Sequence, residues 1–426
     1  NSLELRNSTE AKPRMKVGGL DLGFENQQFS QEYLDIFLGY IDENKILNQF
    51  KDIYLGRKGN STENKAVDHF EYRKPLEQRK NWILEQQDKA GEAAKKIKDK
   101  DKEALIFFGI GGSKLGPQLI QEALCQESNE NIIFITGSDP IEASQKTKGL
   151  NLDACIFIIA SKSFTTLETL TSFEQVAGKN RTKQAFAITA DMNEAITFGI
   201  PEENVLMISE ATGGRFSIWS AINLLFLIQA GRKATEEFYH GGFEADQNIL
   251  EAVSLEEVAS IFLSAQDIMH NNVLNNETTA ILSYDWPMRN FYKFAQQLEM
   301  ESNGKQVTQE GEKVGYQTNP IIWGGYGPES QHSFYQQIFQ GTKDMNLYFL
   351  ASVNNERQLN TAQYFGQTQS LVEGTTENEI LYKQVNKRRF TTIELSEINA
   401  RTLGNLIATW ENKTILNGLI WNINAF

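Results

Sequence analysis

Two series of short apolar runs, separated by helix-like stretches, organise the chain. The first comprises Ala104–Ile110, Ile132–Thr136, Ala154–Ala160, Ala185–Thr189 and Val205–Ile208. Runs without polar alternation are strands buried on both faces, and such strands alternating with helices predict a parallel sheet in an α/β layer fold. The second series predicts strands at Thr279–Leu282, Pro320–Trp323, Leu347–Ala351 and Phe390–Leu395, with helices near Ser254–His270, Arg289–Glu299, Gln331–Gln340 and Ala400–Asn412. It repeats the architecture of the first without repeating its sequence. Between the two, Ile218–Ala230 is apolar around most of its circumference and reads as one buried helix, with a boundary following near Gly231 or Gly241-Gly242.

Residues 1–75 are polar and turn-rich and read as an N-terminal arm, in which Ser61 or Thr62 is placed to cap a following helix. From Gln78 to Lys98, Trp82, Ile83, Leu84, Ala90 and Ala93 among charged residues predict a surface helix. The expected domains are therefore the arm at 1–75, a first α/β domain at 76–235 and a second at 236–426.

Composition narrows the function classes. The 426 residues suffice for two or three domains, and 40% hydrophobic content excludes a disordered chain. Lys and Arg number 41 against 55 Asp and Glu, a net charge of −14. That sign excludes a general binder of nucleic acid or anionic membrane, so an anionic ligand must be held by a local site. Cys125 and Cys155 are too few for a disulfide framework, no Cys/His cluster has zinc spacing, and a reducing cytosol is the expected compartment. Ile218–Ala230 is too short to span a bilayer, and the first residues show no signal pattern.

Five segments carry candidate chemistry. Phe107-Phe108-Gly109-Ile110-Gly111-Gly112-Ser113-Lys114 is a strand breaking into glycines before a helix, where bare amides attract anions and hydroxyl-rich ligands; a ligand-free tight turn is equally compatible. Lys114 stands where a dinucleotide fingerprint needs glycine, and the spacing does not fit a Walker A loop. In Ser161-Lys162-Ser163-Phe164-Thr165-Thr166-Leu167-Glu168-Thr169, five hydroxyls follow a strand at a helix start. A helix cap needs one hydroxyl, so five point to a phosphate cradle.

Gly213-Gly214-Arg215-Phe216-Ser217 delivers an arginine that can meet charge developing on an oxygen, or pair with a structural carboxylate. Gln297-Leu298-Glu299-Met300-Glu301-Ser302-Asn303-Gly304-Lys305 places a carboxylate at a helix end, able to act as a base on a carbon acid if desolvated, though most such glutamates are simply solvated. Gly327-Pro328-Glu329-Ser330-Gln331-His332 holds the one histidine of four that sits in a Gly/Pro loop, suited to proton transfer or to a structural hydrogen bond.

These five segments, in this order, resemble the glucose-6-phosphate isomerase (phosphoglucose isomerase) family, and the likeness extends to Asn60–His69 and to the tail Thr402–Phe426. The resemblance implies two sugar-isomerase-type (SIS) three-layer αβα domains with mainly parallel sheets, a homodimer, no metal or other cofactor, and a cytoplasmic enzyme of glycolysis and gluconeogenesis. It implies that Ser161, Ser163, Thr166 and Thr169, with the Lys162 amide, bind the phosphate and that Gly112 and Ser113 touch the sugar. By the same likeness His332, from the partner subunit, assists ring opening. Glu301 then shuttles a proton between C2 and C1 through a cis-enediol, Arg215 stabilises its oxygen and Gln297 orients the substrate. A lysine that the family carries beyond the tail lies past Phe426, so the natural chain is expected to be longer at both ends. Lys65 and Ala211-Thr212 depart from common family residues. A non-catalytic sugar-phosphate-binding SIS protein is the alternative; it needs the hydroxyl cradle but not Glu301, Arg215 and His332 together.

Overall fold

The computed structural model describes residues 14–353, 358–375 and 380–426; the first thirteen residues of the expected arm lie outside them. The described chain sorts into two units, Val67–Tyr239 and a second formed by residues 14–66 with His240–Phe426.

Residues 14–66 hold the hairpin β1 (Arg14–Val17) and β2 (Leu20–Gly23), helices α1 (Gln31–Glu43) and α2 (Ile46–Tyr54), and the small hairpin β3 (Gly59–Asn60) and β4 (Lys65–Ala66). No helix follows Ser61 or Thr62. Asn60 Oδ1 accepts from the Thr62 and Glu63 amides at 3.1 and 3.2 Å, and an asparagine bonded to the backbone ahead of it makes a turn, here the tip of the hairpin.

The unit Val67–Tyr239 contains α3 (Asn81–Lys98), β5 (Ala104–Phe108), α4 (Gly112–Leu124), β6 (Ile132–Ile135), α5 (Pro140–Lys146), β7 (Cys155–Ala160), α6 (Leu167–Ala177), β8 (Ala185–Thr189), α7 (Met192–Phe198) and β9 (Val205–Met207). All five strands are parallel, in the order β6-β5-β7-β8-β9. Successive side chains on a strand point to opposite faces. Ile106, Phe108, Phe157 and Ile159 therefore build one core with Phe173, while Leu105, Phe107, Ile156 and Ile158 build another with Ile222, Leu225 and Ile228. Both faces are covered, which explains the unbroken apolar runs.

The expected single helix at Ile218–Ala230 is divided. Two 3₁₀ turns, Gly214–Trp219 and Ala221–Asn223, precede α8 (Leu224–Leu250), itself interrupted at Gly231, where φ is 79°. Ser220 separates the turns: its backbone is extended, and its hydroxyl donates to Ser217 O at 2.7 Å and accepts from the Ile222 amide at 3.3 Å. Apolar periodicity identified the burial of this stretch but not the serine break.

The second unit continues with α9 (Ala259–Ile268), β10 (Thr278–Ser283), α10 (Phe291–Asn303), β11 (Ile321–Tyr326), α11 (Gly327–Ser330), α12 (Tyr335–Gln340), β12 (Asn346–Ser352), α13 (Gln358–Glu373), β13 (Thr391–Leu395) and α14 (Ala400–Ile420). Its sheet runs β1-β2-β13-β12-β10-β11, with β10 to β13 mutually parallel and the β1-β2 hairpin added antiparallel on β13. Part of the segment that reads as an arm thus completes this sheet. The helix expected at Gln331–Gln340 starts only at Tyr335, because residues 331–334 form the turn that carries His332. Helix α14 runs beyond the expected Asn412: Glu411, Asn412 and Lys413, polar enough to suggest an end, are fully buried inside it. Mixed α/β layers with mainly parallel sheets are the observed fold class, as the sequence predicts. Among the described residues, no helix is long and apolar enough to cross a membrane.

Candidate active site

In the five-stranded unit the chain leaves β5 for the edge strand β6 and returns on the other side as β7. A sheet of this topology leaves a crevice outside the carboxyl ends of the two strands where the order reverses, and ligands bind there. The loops that follow β5 and β7 are the glycine turn and the hydroxyl-rich segment, so the fold brings Gly112, Ser113, Ser161, Lys162, Ser163, Thr166 and Thr169 to the same end of neighbouring strands.

Gly111 opens α4 with φ 55° and ψ −125°, a conformation in which a Cβ is strained. Gly112 then meets the other glycine motif: a Cβ there would lie 2.2 Å from Gly214 O and 2.6 Å from Arg215 N. Two sequence motifs about a hundred positions apart are thereby locked together at backbone level, and the contact fixes where Arg215 leaves the chain. The half-buried Arg215 guanidinium lies 5.3 Å from the centre of the Phe216 ring, which stacks in turn on His69 at 4.7 Å. Burial first, then the nearby Arg73 and Arg215 charges, hold the His69 imidazole well below its ordinary range. It therefore stays neutral and adds no competing cation beside Arg215. Thr212, just before the glycines, is tied down by a 2.5 Å hydrogen bond from its hydroxyl to Asp68 Oδ1.

The hydroxyl loop is held from below by Phe164, a 2% exposed side chain packed 5.7 Å from the Phe198 ring, whose backbone takes the left-handed φ of 51°. A bulky residue in that region costs about 1–3 kcal/mol and marks a loop constrained by its surroundings. The hydroxyls do not cap α6. Thr166 occupies the cap position without a side-chain cap bond and pairs instead with Ser161 Oγ at 2.9 Å, while Ser163 pairs with Thr165 at 2.6 Å. The buried Thr169 Oγ1, in the first turn of α6, has no hydrogen-bond partner. A buried hydroxyl left unpaired costs about 1–3 kcal/mol, and its place at a helix start beside four other hydroxyls fits an anion acceptor. The Lys162 carbonyl accepts from the Ala190 amide and the Thr189 hydroxyl at 2.8 and 3.0 Å, which pins the turn to the start of the loop after β8.

In the six-stranded unit, Gln297 and Glu301 are one turn apart on α10, and Gln297 Nε2 donates to Glu301 Oε2 at 3.0 Å. The helix then closes tightly: the Gly304 amide bonds Met300 O at 3.0 Å, Asn303 Nδ2 bonds Thr414 O at 2.9 Å, and Lys305 Nζ bonds Ser302 O and Asn424 O at 2.9 and 3.0 Å. The desolvation that would favour Glu301 as a base is not seen: the side chain is exposed, at the solvent edge of the face of α10 that buries Leu298 and Ser302.

His332 is exposed in the turn between α11 and α12, with its amide on Glu329 O at 3.0 Å. Gln296 Nε2 donates to Ile322 O at 2.7 Å, and a Cβ on Gly324 would lie 3.0 Å from Tyr292 Cβ, so α10 runs antiparallel to β11. Glu301 consequently lies toward the amino end of β11, whereas His332 belongs to the segment that leaves its carboxyl end.

Residues 23–426 match the family model for phosphoglucose isomerase. The chain belongs to the phosphoglucose isomerase family. It is 30% identical over 460 residues to the glucose-6-phosphate isomerase of Shewanella pealeana, which covers 96% of this chain and 84% of that protein. A crystal structure of a glucose-6-phosphate isomerase from Chlamydia trachomatis superposes with a TM-score of 0.87 at 25% identity, covering 97% of this chain and 86% of the other. The tagatose-6-phosphate ketose/aldose isomerase of Escherichia coli shares the fold, with a TM-score of 0.54 at 11% identity over 79% of this chain and 87% of the other. The family reaction is the aldose–ketose isomerisation of glucose 6-phosphate to fructose 6-phosphate in glycolysis, and this chain is an enzyme of that family.

Sequence reasoning missed several residues that shape these loops. Phe164 and His69 drew no role of their own from the sequence, because neither a positive φ nor a stack beneath an arginine leaves a trace in apolar patterning. Glu299 was visible only as the companion of Glu301. Two residues apart on a helix, they face nearly opposite ways, and a buried glutamate in such a pair requires a buried cation elsewhere in the chain.

Proposed function

We propose that the isomerisation proceeds with Glu301 as the base that moves a proton between C2 and C1 of the open sugar phosphate. A proton on carbon next to a carbonyl is weakly acidic, so the step needs a positioned base and a cation or donor for the oxygen of the enediolate. Gln297 holds Glu301 Oε2 and so orients the carboxylate that takes the proton. Arg215, aimed by the Gly112–Gly214 contact, meets the negative oxygen of the cis-enediol. Ser161, Ser163, Thr166 and Thr169, with the Lys162 amide, bind the phosphate, and Gly112 and Ser113 touch the sugar. Anchoring the phosphate fixes the reacting carbons and lets few groups perform the chemistry.

His332 assists opening of the ring. Its place in the segment leaving the carboxyl end of β11, while Glu301 lies toward the amino end, supports a homodimer in which each site receives the histidine of the other copy. The cytoplasm, where a reducing environment keeps Cys125 and Cys155 as thiols, is the proposed location. The observation that carries this reading is the Gln297–Glu301 pair on the exposed face of a tightly anchored helix. Its test is conversion of glucose 6-phosphate to fructose 6-phosphate by the parent and by Glu301→Gln: the parent turns over and the variant does not. A variant as active as the parent contradicts the assignment of the base.

A further inference from the structure

Behind the exposed face of α10 lies a fully buried cluster of charges. Lys413 Nζ on α14 stands 2.8 Å from Asp267 Oδ2 on α9 and 2.9 Å from Glu299 Oε2 on α10, and all three side chains are 0–1% exposed. The remaining oxygens are occupied too. Glu299 Oε1 accepts from Trp410 Nε1 at 2.6 Å; Asp267 Oδ1 accepts from the Tyr348 hydroxyl and Asn346 Nδ2 at 2.7 and 3.0 Å, and its Oδ2 from Asn417 Nδ2 at 2.9 Å. The Lys413 ammonium is boxed by the Trp410 and Tyr348 rings at 4.2 and 5.4 Å.

A chain of buried groups leads into this cluster from the far side of the unit. Asn276 Nδ2 donates to His270 Nδ1 at 2.9 Å, His270 Nε2 to Gln27 Oε1 at 3.1 Å, and Gln27 Nε2 to the Thr391 hydroxyl at 3.1 Å. Thr391 donates to Gln266 Oε1 at 2.6 Å, Gln266 Nε2 to Asn346 Oδ1 at 2.6 Å, and Asn346 to Asp267. Every donor points toward Asp267, so each bond polarises the next and the carboxylate is held by the whole series.

Two carboxylates around one ammonium leave the cluster with a net buried negative charge, and apolar residues of similar size often stabilise a fold equally well or better. Burial lowers Lys413 and raises Glu299; the two carboxylates outweigh it for Lys413 and hold the ammonium charged, above its ordinary range. What such a cluster supplies that apolar packing does not is a single geometry. Glu299 sits between Gln297 and Glu301 in sequence and on the opposite face in space, so whatever fixes its carboxylate fixes the rotation of α10 about its own axis. Asn303 on Thr414 O provides a second point on the same partner helix.

We propose that Lys413 and Glu299 are positioning residues of the isomerase: their buried pair, braced by Asp267, sets the rotation of α10 and so the direction in which Gln297 and Glu301 project. This inference rests on the reading of Glu301 as the base.

The test uses the full chain with Glu299→Gln, the triple variant Glu299→Gln/Lys413→Met/Asp267→Asn, and Glu301→Gln. Circular dichroism and thermal melting confirm folding, and kcat and KM are measured well below the melting temperature. Glu299→Gln leaves Lys413 and Asp267 as a one-to-one pair, and the triple variant removes all three charges, so neither strands an unpaired buried charge and the fold stays accessible in at least one of them. A base displaced by about 1 Å loses up to ~100-fold in rate, so kcat is expected to fall at least about tenfold in the folded Glu299 variants with KM within about threefold. A merely structural pair would change the melting temperature and leave kcat per folded molecule at the parent value. That result, with Glu301→Gln inactive, overturns the positioning role alone; an active Glu301→Gln overturns the underlying assignment of the base.

Discussion

Gly112 and Gly214 meet through bare backbone: a Cβ on Gly112 would come within 2.2 Å of the Gly214 carbonyl oxygen. No rotamer change relieves such a contact, because the obstructing atoms belong to the main chain. Gly112→Ala must push α4 off the Gly214–Trp219 turn and carry Arg215 with it. The expected cost is about 1–3 kcal/mol of stability from overpacking, with kcat/KM falling by at least about tenfold. Melting and steady-state kinetics on the same preparation check both.

Thr169 offers a substitution whose effects on stability and function run in opposite directions. Its buried hydroxyl has no hydrogen-bond partner within the chain, so Thr169→Val removes an unsatisfied group while nearly keeping the shape. The variant is expected to melt at the parent temperature or above it, while KM for glucose 6-phosphate rises by about tenfold, the loss of roughly 1.4 kcal/mol of binding. A lower melting temperature with unchanged KM would mean that the hydroxyl serves the fold.

Gln297 donates to a carboxylate oxygen of Glu301. Gln297→Met keeps the length of the side chain and its helix propensity but removes the donor that orients the carboxylate. Stability is expected to change by less than about 0.5 kcal/mol, as for an exposed helix position, and kcat to fall by about tenfold. Urea unfolding and initial rates separate the two effects.

His270 makes stability depend on pH. Burial, assisted by the Arg389 charge, lowers its imidazole from 6.5 to about 4 against the opposing pull of Asp344 and Asp267. The unfolded chain binds a proton near pH 6.5, whereas the folded chain resists until about 4. The contribution is therefore fully present above 6.5 and lost as pH falls through this window, about 3 kcal/mol in all. His270→Gln, which keeps one donor and one acceptor, is expected to flatten the acid limb of a stability–pH curve by that amount. His69, also held neutral by burial, adds a slope of the same sign.

The central strands were legible because burial on both faces leaves unbroken apolar runs. Ala185–Thr189 is a strand over those same residues, and Cys155–Ala160 begins one residue later than expected. The β1-β2 hairpin escaped notice because four-residue strands pairing at a sheet edge carry too little periodicity against a polar background. In α14 the polar triplet Glu411-Asn412-Lys413 imitated a helix end, since partners as distant as Asp246 and Asp267 are invisible to local pattern. The loops of the candidate site were read from hydroxyl and glycine content. Their constraints, the left-handed Phe164 and the touching glycines, are properties of tertiary packing and left no local signal.

Glucose 6-phosphate carrying deuterium at C2 follows the transferred hydrogen itself. The parent is expected to yield fructose 6-phosphate with part of the label at C1 and the rest exchanged into water, and Glu301→Gln to leave the label at C2 of unreacted substrate. Label leaving C2 at the parent rate in that variant would contradict proton transfer by Glu301.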